Sequence, residues 1–301
     1  MPSFRATAAH VRVPATSANL GPGFDSAGLA LSLYDDVVVR VTDGGLHIDV
    51  EGEGADEVAR DGTHLVVACL RAAFDRMGGQ PPGLEVACTN RIPHARGLGS
   101  SSAAIVAAVV AARALVVGGE QVLGEDACLQ LANELEGHPD NVAACLRGGV
   151  TVAWLRDDGS PGVVRLEAHA ELAPVAYVPA TRSSTAAVRG LLPATVPYAD
   201  AVHNAARAAL LPYALSIDPS LLLAATADRL HQDYRAPAMP GTAELVARLR
   251  GRGVPAVVSG AGPTVLALTT KATRPALLST EEPGWSVRPL DVEARGAHLV
   301  T

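Results

Sequence analysis

The chain has 301 residues, enough for one large domain or two ordinary ones, and its 49% hydrophobic and 18% charged content is that of a globular protein with a sizeable core. A net charge of −7 disfavours a general nucleic-acid surface, and two Trp, five Tyr and three Phe are too few for a base-stacking platform.

In chain order, His10 to Pro14 predicts a strand. The segment Val13-Pro-Ala-Thr-Ser-Ala-Asn-Leu-Gly-Pro-Gly-Phe-Asp-Ser-Ala-Gly-Leu29 predicts a strand running into a polar, Gly/Pro-rich turn. Asn19 can donate and accept, and Asp25 accepts when ionised, so the two suit an amine or a hydroxyl. Taken alone, the segment reads as an Asx-turn with Gly21 and Gly23. The Val-rich run Asp36 to Val41 predicts a second strand. Leu46 to Val50 alternates, and Gly44-Gly45 before it predicts a hairpin turn. Leu65 to Met77 has helical spacing and ends at Gly78-Gly79.

The strand Leu84 to Cys88 leads into Arg91-Ile-Pro-His-Ala-Arg-Gly-Leu-Gly-Ser-Ser-Ser-Ala-Ala104, a Gly/Ser-rich turn before a helical pattern from Ile105 to about Val117. Gly97 and Gly99 allow a sharp turn and close approach to a ligand. The serines place hydroxyls and N–H groups at a helix N-terminus, whose unpaired donors and partial positive charge suit a phosphate. The same pattern also fits a plain turn with a serine cap. It is not a Walker A loop, which needs a lysine, and the sole lysine is the distant Lys271. A G-x-G-x-x-G match lacks its third glycine.

Asp126 to Glu136 predicts a helix stopped by Gly137-His138-Pro139. The segment Glu134-Leu-Glu-Gly-His-Pro-Asp-Asn141 holds potential ligands whose carboxylates suit Mg²⁺, whereas zinc lacks a second His or Cys partner. Read locally, it is a helix end with Asp and Asn in a turn. Val150 to Leu155 predicts a strand, and the turn cluster Asp157 to Gly162 predicts a boundary between domains at 1–158 and 159–301. Strands are predicted at Ala173 to Val178, Ala256 to Ser259 and Thr264 to Leu268. Helices are predicted at Tyr198 to Leu211, Pro219 to Asp228 and Thr242 to Arg250. The loop Ser259-Gly-Ala-Gly-Pro-Thr264 permits close approach of backbone to phosphates, or is an ordinary β-turn.

Cys69, Cys88, Cys128 and Cys145 are scattered, without a C-x-x-C pair, and read as core thiols of a reducing compartment. The N-terminal segment lacks an apolar signal stretch, and the Ala-rich run Ala103 to Val117 is too short for a membrane span. The expectation is a soluble, cytoplasmic protein.

In order and wording, PATSANLGPGFDSAGLAL, GLGSSSAA, EGHPDNV and SGAGPT resemble the motifs of the GHMP small-molecule kinases, over nearly the whole chain. EGHPDNV and the Asn-Leu-Gly-x-Gly-Phe-Asp form of the first motif resemble the branch that phosphorylates L-homoserine. The resemblance implies an α+β fold of two domains, the first like ribosomal protein S5 domain 2 and the second ferredoxin-like, with the active site between them. It implies ATP and Mg²⁺ as cofactors and transfer of a phosphoryl group to the homoserine hydroxyl, in threonine biosynthesis. By the same resemblance, Pro93, Arg96, Gly97, Leu98, Gly99, Ser100, Ser101, Ser102 and Ala103 form the nucleotide loop. Ser101 and Glu136 match the metal ligands, with Glu134 open as the alternative carboxylate.

Asn19, Asp25, His138, Asp140 and Asn141 match positions around the substrate, as do Thr185, Arg189 and Arg235. The two arginines suit a carboxylate, and Asp25 or Asp140 an ammonium. Asn19, Asp25 and Asp140 are the candidates for catalysis. Relatives for mevalonate pair an Asp at the position of Asp140 with a lysine in the first motif, which is missing here. A general base and direct transfer with an oriented hydroxyl therefore both stay open. Relatives often carry Asn where this chain has His64, so an adenine contact there must differ. Another kinase of the family, a non-catalytic nucleotide sensor and a homodimeric state are further alternatives, with intact Ser101 and Glu136 opposing the sensor.

Overall fold

The computed structural model describes residues 2–183 and 188–300. A seven-stranded sheet is built on β1 (Ala9–Asn19) and the long β2 (Gly23–Thr42), which pair antiparallel through two register shifts. The far half of β2 pairs with β4 (Gly83–Asn90), and its near end pairs with β5 (Val150–Leu155), which in turn pairs with β6 (Pro161–Leu166). The first motif is therefore a β-hairpin, and Asn19 and Asp25 sit on its two strands rather than in a simple turn.

β3 (Gly45–Gly52) pairs in parallel with β4, not with β2. The hairpin expected at Gly44-Gly45 does not form. β4 occupies the edge of β2, and helix α1 (Leu65–Arg76) carries the chain from β3 back to a parallel β4. Gly-Gly marks the reversal but says nothing about which strand fills the adjacent edge.

α2 (Ser100–Leu115) packs against β1, α1, α3 (Glu125–Glu136) and α4 (Pro139–Arg147). Its alanines let neighbours approach closely, and Ala103 and Ile105 through Ala112 are buried. α4 was not expected: Gly-His-Pro reads as a stop, but Pro139 stands in the first turn of a new helix, where its missing N–H costs nothing.

The second sheet has order β10 (Trp285–Pro289), β7 (Val175–Pro179), β9 (Val265–Ala267), β8 (Ala256–Val258), all antiparallel. Helices α5 (Tyr198–Ser216) and α6 (Pro240–Gly251) lie between β7 and β8 in the chain, and Arg274–Leu278 between β9 and β10. This is the expected ferredoxin-like pattern. Val175, Tyr177, Ala256 and Val265 pack on Leu245 and Leu249 of α6. The helix expected over Pro219 to Asp228 is two short turns ending at Ala225.

The Asp157–Gly162 turn, expected as a domain boundary, is the tip of the β5–β6 hairpin, closed by Arg156 N–H donating to Ser160 O at 2.8 Å. Turn chemistry alone does not distinguish a hairpin tip from a linker. The chain leaves the first sheet after Leu166, meets β2 again at the antiparallel Leu31–Val292 bridge, and ends on β11 (His298–Leu299), which pairs with β1. The four cysteines are buried and unpaired, and burial pushes the Cys69 and Cys88 thiols up to about 12. Among the described residues no helix is long and apolar enough to cross a membrane.

Candidate active site

The Gly/Ser loop is held between the two sheets. Gly97 has φ +77°, and a Cβ there would fall 2.2 Å from the Ser259 carbonyl oxygen. Gly99 has φ +71°, and a Cβ would fall 2.0 Å from Thr16 Oγ1. Both positions demand glycine on conformation and on space. Ser259 Oγ donates to Gly97 O at 2.6 Å, and Gly260 N–H donates to Ala18 O at 3.0 Å, so the SGAGPT loop clamps the Gly/Ser loop onto the end of β1.

The loop delivers the N-terminus of α2, which starts at Ser100 rather than near Ile105 and has no side-chain cap. Its first-turn N–H groups are the unpaired donors that an anion satisfies. Ser101 Oγ donates to Glu136 Oε1 at 2.9 Å, and the buried Ser102 Oγ to the same oxygen at 2.7 Å. Glu134 points elsewhere, accepting from Arg76 at 2.5 Å and Gln130 at 2.9 Å on the surface. Residues two apart on a helix face nearly opposite ways, and here only Glu136 reaches the serines.

Arg96 spends its guanidinium on the carbonyls of Pro179, His94 and Ala180, so it braces the loop. Pro93, Leu98 and Ala103 are buried supports.

A cavity of about 460 Å³ opens at this helix end. Into it the motif hairpin brings Asn19 and Asp25, the α3–α4 joint brings Glu136, His138, Asp140 and Asn141, and the second domain brings Arg189 and Arg235. Asn19 Nδ2 donates to Gly260 O at 2.9 Å, and Asn19 Oδ1 accepts from the Asp25 N–H at 2.9 Å. Asn19 and Asp25 have φ of 70° and 54°, a left-handed backbone that Asn and Asp tolerate better than most residues. Arg189 forms two bonds to Asp25, at 2.9 and 2.6 Å. Burial nonetheless raises the Asp25 carboxyl above the usual carboxylate range, Arg189 opposing and Asp140 reinforcing the shift.

Asp140 Oδ1 accepts from Asn141 N–H at 2.7 Å and lies 2.8 Å from His138 Nδ1. That bond holds the His138 imidazolium above its ordinary range. Asn141 Oδ1 accepts from Thr16 Oγ1 at 2.8 Å. Arg235 is buried, and its Nε has no partner among the described residues. Two aromatic neighbours were not expected from the sequence: Phe24 lies under both arginines, 5.4 Å from Arg189 and 5.0 Å from Arg235, and His231 stacks on Phe24 at 4.9 Å. Phe24 is visible inside the first motif, but nothing in the pattern marks His231. Thr185 lies outside the described residues.

A second cavity of about 300 Å³ shares Ser100 and Ser101 with the first and is lined by Val13, Val37, Leu65, Val66, Asn90 and His64. His64 is 6% exposed, its Nδ1 has no partner among the described residues, and burial pushes its imidazolium down. A second imidazole, His94, also lines this mostly apolar slot, and burial pushes it down as well, so two weakly basic rings stand beside the α2 N-terminus.

The family model for the GHMP kinases N-terminal domain matches residues 64–149, and that for the GHMP kinases C-terminal region matches residues 210–280. The homoserine kinase of Streptomyces avermitilis is 58% identical over 299 residues, covering 99% of this chain and 98% of that one. The homoserine kinase of Clavibacter michiganensis is 52% identical, covering 95% and 92%. Among solved structures, homoserine kinase from Cytophaga hutchinsonii superposes with a TM-score of 0.81 at 26% identity, covering 100% of this chain and 99% of that one. Mevalonate kinase from L. major gives 0.69 at 16% identity, a likeness of fold.

Proposed function

The chain belongs to the GHMP kinase family, and we propose that it transfers the γ-phosphoryl group of ATP to the side-chain hydroxyl of L-homoserine, giving O-phospho-L-homoserine and ADP for threonine biosynthesis. The observation that carries this reading is the charge layout of the larger cavity. Two guanidinium groups, Arg189 and Arg235, share it with Asp25 and Asp140, while a third carboxylate, Glu136, stands at the uncapped N-terminus of α2. A substrate with a carboxylate, an ammonium and a hydroxyl matches that layout, whereas a hydroxy acid without an amine brings no cation to Asp25 and Asp140. The four buried, unpaired thiols support a cytoplasmic setting.

Phosphoryl transfer depends on positioning and charge stabilisation more than on covalent chemistry. The apolar slot with His64 takes the adenine. Its opening at Ser100 and Ser101 leads the phosphates over the first-turn N–H groups of α2. Ser101 Oγ and Glu136 Oε1, 2.9 Å apart, are hard oxygen donors of the kind Mg²⁺ takes with phosphate oxygens and water. Bound there, the ion would offset phosphate charge. Arg235 takes the substrate carboxylate with Arg189, and Asp25 with Asp140 takes the ammonium. Asn19 and Asn141 orient the hydroxyl toward the γ-phosphate.

Both candidate carboxylates are already engaged, Asp25 by two bonds from Arg189 and Asp140 by His138 and the Asn141 N–H, so neither stands free as a base. The His138–Asp140 bond lies near the hydroxyl, but His138 is itself held toward its protonated form. We expect direct transfer. Because the Asp25 carboxyl is raised, it protonates at a higher pH than an ordinary Asp, and homoserine binding should weaken there as the ammonium partner is lost. The check is kcat and KM against pH for wild type, Asp25→Asn and Asp140→Asn. Asp25→Asn should raise KM and flatten its acidic rise, while each variant keeps the shape of the kcat profile. Loss of the acidic limb of kcat in one variant, with homoserine still bound, would identify that Asp as a base.

Substrate choice is tested by coupled ADP release with L-homoserine, mevalonate and shikimate. L-Homoserine should give the highest kcat/KM. Preference for either hydroxy acid would move the chain to another activity of the family, and nucleotide binding without turnover would make it a sensor.

A further inference from the structure

Behind Arg235 lies a residue that the reading above does not use. His231 is fully buried, one helical turn before Arg235. Its Nε2 lies 2.8 Å from the Gly21 carbonyl oxygen, and its Nδ1 lies 3.3 Å from Arg235 Nη1. A carbonyl oxygen only accepts and a guanidinium only donates. Nε2 must therefore carry the proton and Nδ1 the lone pair, so the two contacts select one neutral tautomer.

Burial, the largest influence, pushes the His231 imidazolium down, with Asp228 and the Gly21 bond opposing and Arg235 reinforcing. Asp228 also fixes the turn that carries the ring, accepting from the N–H groups of Leu230, His231 and Gln232 at 2.8–3.1 Å. The ring is held flat by its stack on Phe24, the same ring that lies under Arg235. The guanidinium reaches one other protein acceptor among the described residues, Gly260 O at 3.4 Å.

We propose that His231, locked as its Nε2–H tautomer by the Gly21 carbonyl, is a positioning residue that aims Arg235 at the substrate carboxylate and sets the preference for amino-acid over amino-alcohol substrates. The proposal rests on the reading that Arg235 binds that carboxylate. It couples the first motif to Arg235: a shift of the Gly21 carbonyl moves the imidazole, and the imidazole moves the guanidinium. A buried histidine that merely fills space would carry no such coupling.

The test compares the KM for L-homoserine with the inhibition constant of 3-amino-1-propanol, which keeps the hydroxyl and the ammonium but has no carboxylate. Arg235→Ala should erase most of the wild-type preference. His231→Gln keeps a donor for Gly21 but removes the acceptor facing Arg235. It should raise the homoserine KM about 3- to 10-fold, the scale of one hydrogen bond, with the ATP KM, kcat and the amino-alcohol constant unchanged. His231→Asn, whose amide oxygen falls near the Nδ1 position, should recover much of the loss.

If Arg235→Ala keeps the preference, the reading of Arg235 itself fails. If Arg235→Ala loses it while His231→Gln matches wild type, the positioning proposal fails alone. Nitrogen NMR of the wild-type chain gives a measure independent of variant folding. Nδ1 should be unprotonated at neutral pH and its shift should change on adding L-homoserine, and an Nδ1–H tautomer would overturn the proposal.

Discussion

Glu136→Ala should lower kcat/KM by roughly 10²–10³-fold, the scale of removing one preorganised electrostatic contact from a reacting centre. Glu136 Oε1 is the acceptor shared by Ser101 and Ser102, so Ala also leaves the buried Ser102 hydroxyl unpartnered, at about 1–3 kcal/mol of stability. Glu136→Gln separates the two effects. It retains an oxygen for both serines, so the melting temperature should stay near wild type, while activity should fall and the Mg²⁺ concentration for half-maximal rate should rise. Glu134→Ala should change little, because that side chain serves a surface ion pair with Arg76. The reverse ranking of the two glutamates would show that the metal carboxylate has been misplaced.

Arg235→Ala should raise the homoserine KM roughly 10- to 100-fold and leave the ATP KM within about two-fold, since a charge-assisted contact is worth on the order of 1.5–3 kcal/mol. Arg189→Ala should act less strongly on the same constant. Arg189 already holds Asp25 through two bonds, whereas Arg235 Nε has no partner among the described residues, so more of its hydrogen-bonding capacity is left for a ligand. Equal loss of ATP affinity in Arg235→Ala would assign that arginine to the nucleotide. A circular-dichroism melt accompanies the assay, because Arg235 also packs on Phe24 and its removal opens space in a buried wall.

The parts of the site legible in the sequence are those where chemistry restricts residue type. Gly97 and Gly99 stand out because a tight turn suits glycine, and in the structure both have positive φ and a Cβ would strike Ser259 or Thr16. Asn19, Asp25 and Asp140 stand out as polar groups crowded among glycines and prolines. The strand and helix patterns likewise located most elements, because apolar spacing reports which face is buried.

What stayed hidden depends on contacts between distant segments. Nothing near Leu46 tells that β4 will lie between β3 and β2. Whether Glu134 or Glu136 meets the serines depends on how α3 is rotated against α2, and both spellings look alike in a linear motif. Pro139 begins a helix only because α3 ends just before it, and a stop signal and a start signal share the same residues. His231 acquires its role from Gly21 and Arg235, neither of which its own neighbourhood announces.

Transfer of the γ-phosphoryl group of ATP to the side-chain oxygen of L-homoserine is read most directly from the phosphorus-bearing products. Phosphorus NMR of the full chain with ATP, Mg²⁺ and L-homoserine follows donor and product together. The γ-phosphate signal should fall with equal growth of ADP and of one phosphomonoester identical to O-phospho-L-homoserine, and no phosphomonoester should form when 3-amino-1-propanol replaces homoserine at the same concentration. ADP appearing with inorganic phosphate alone, or no change in the ATP signals, would contradict that transfer.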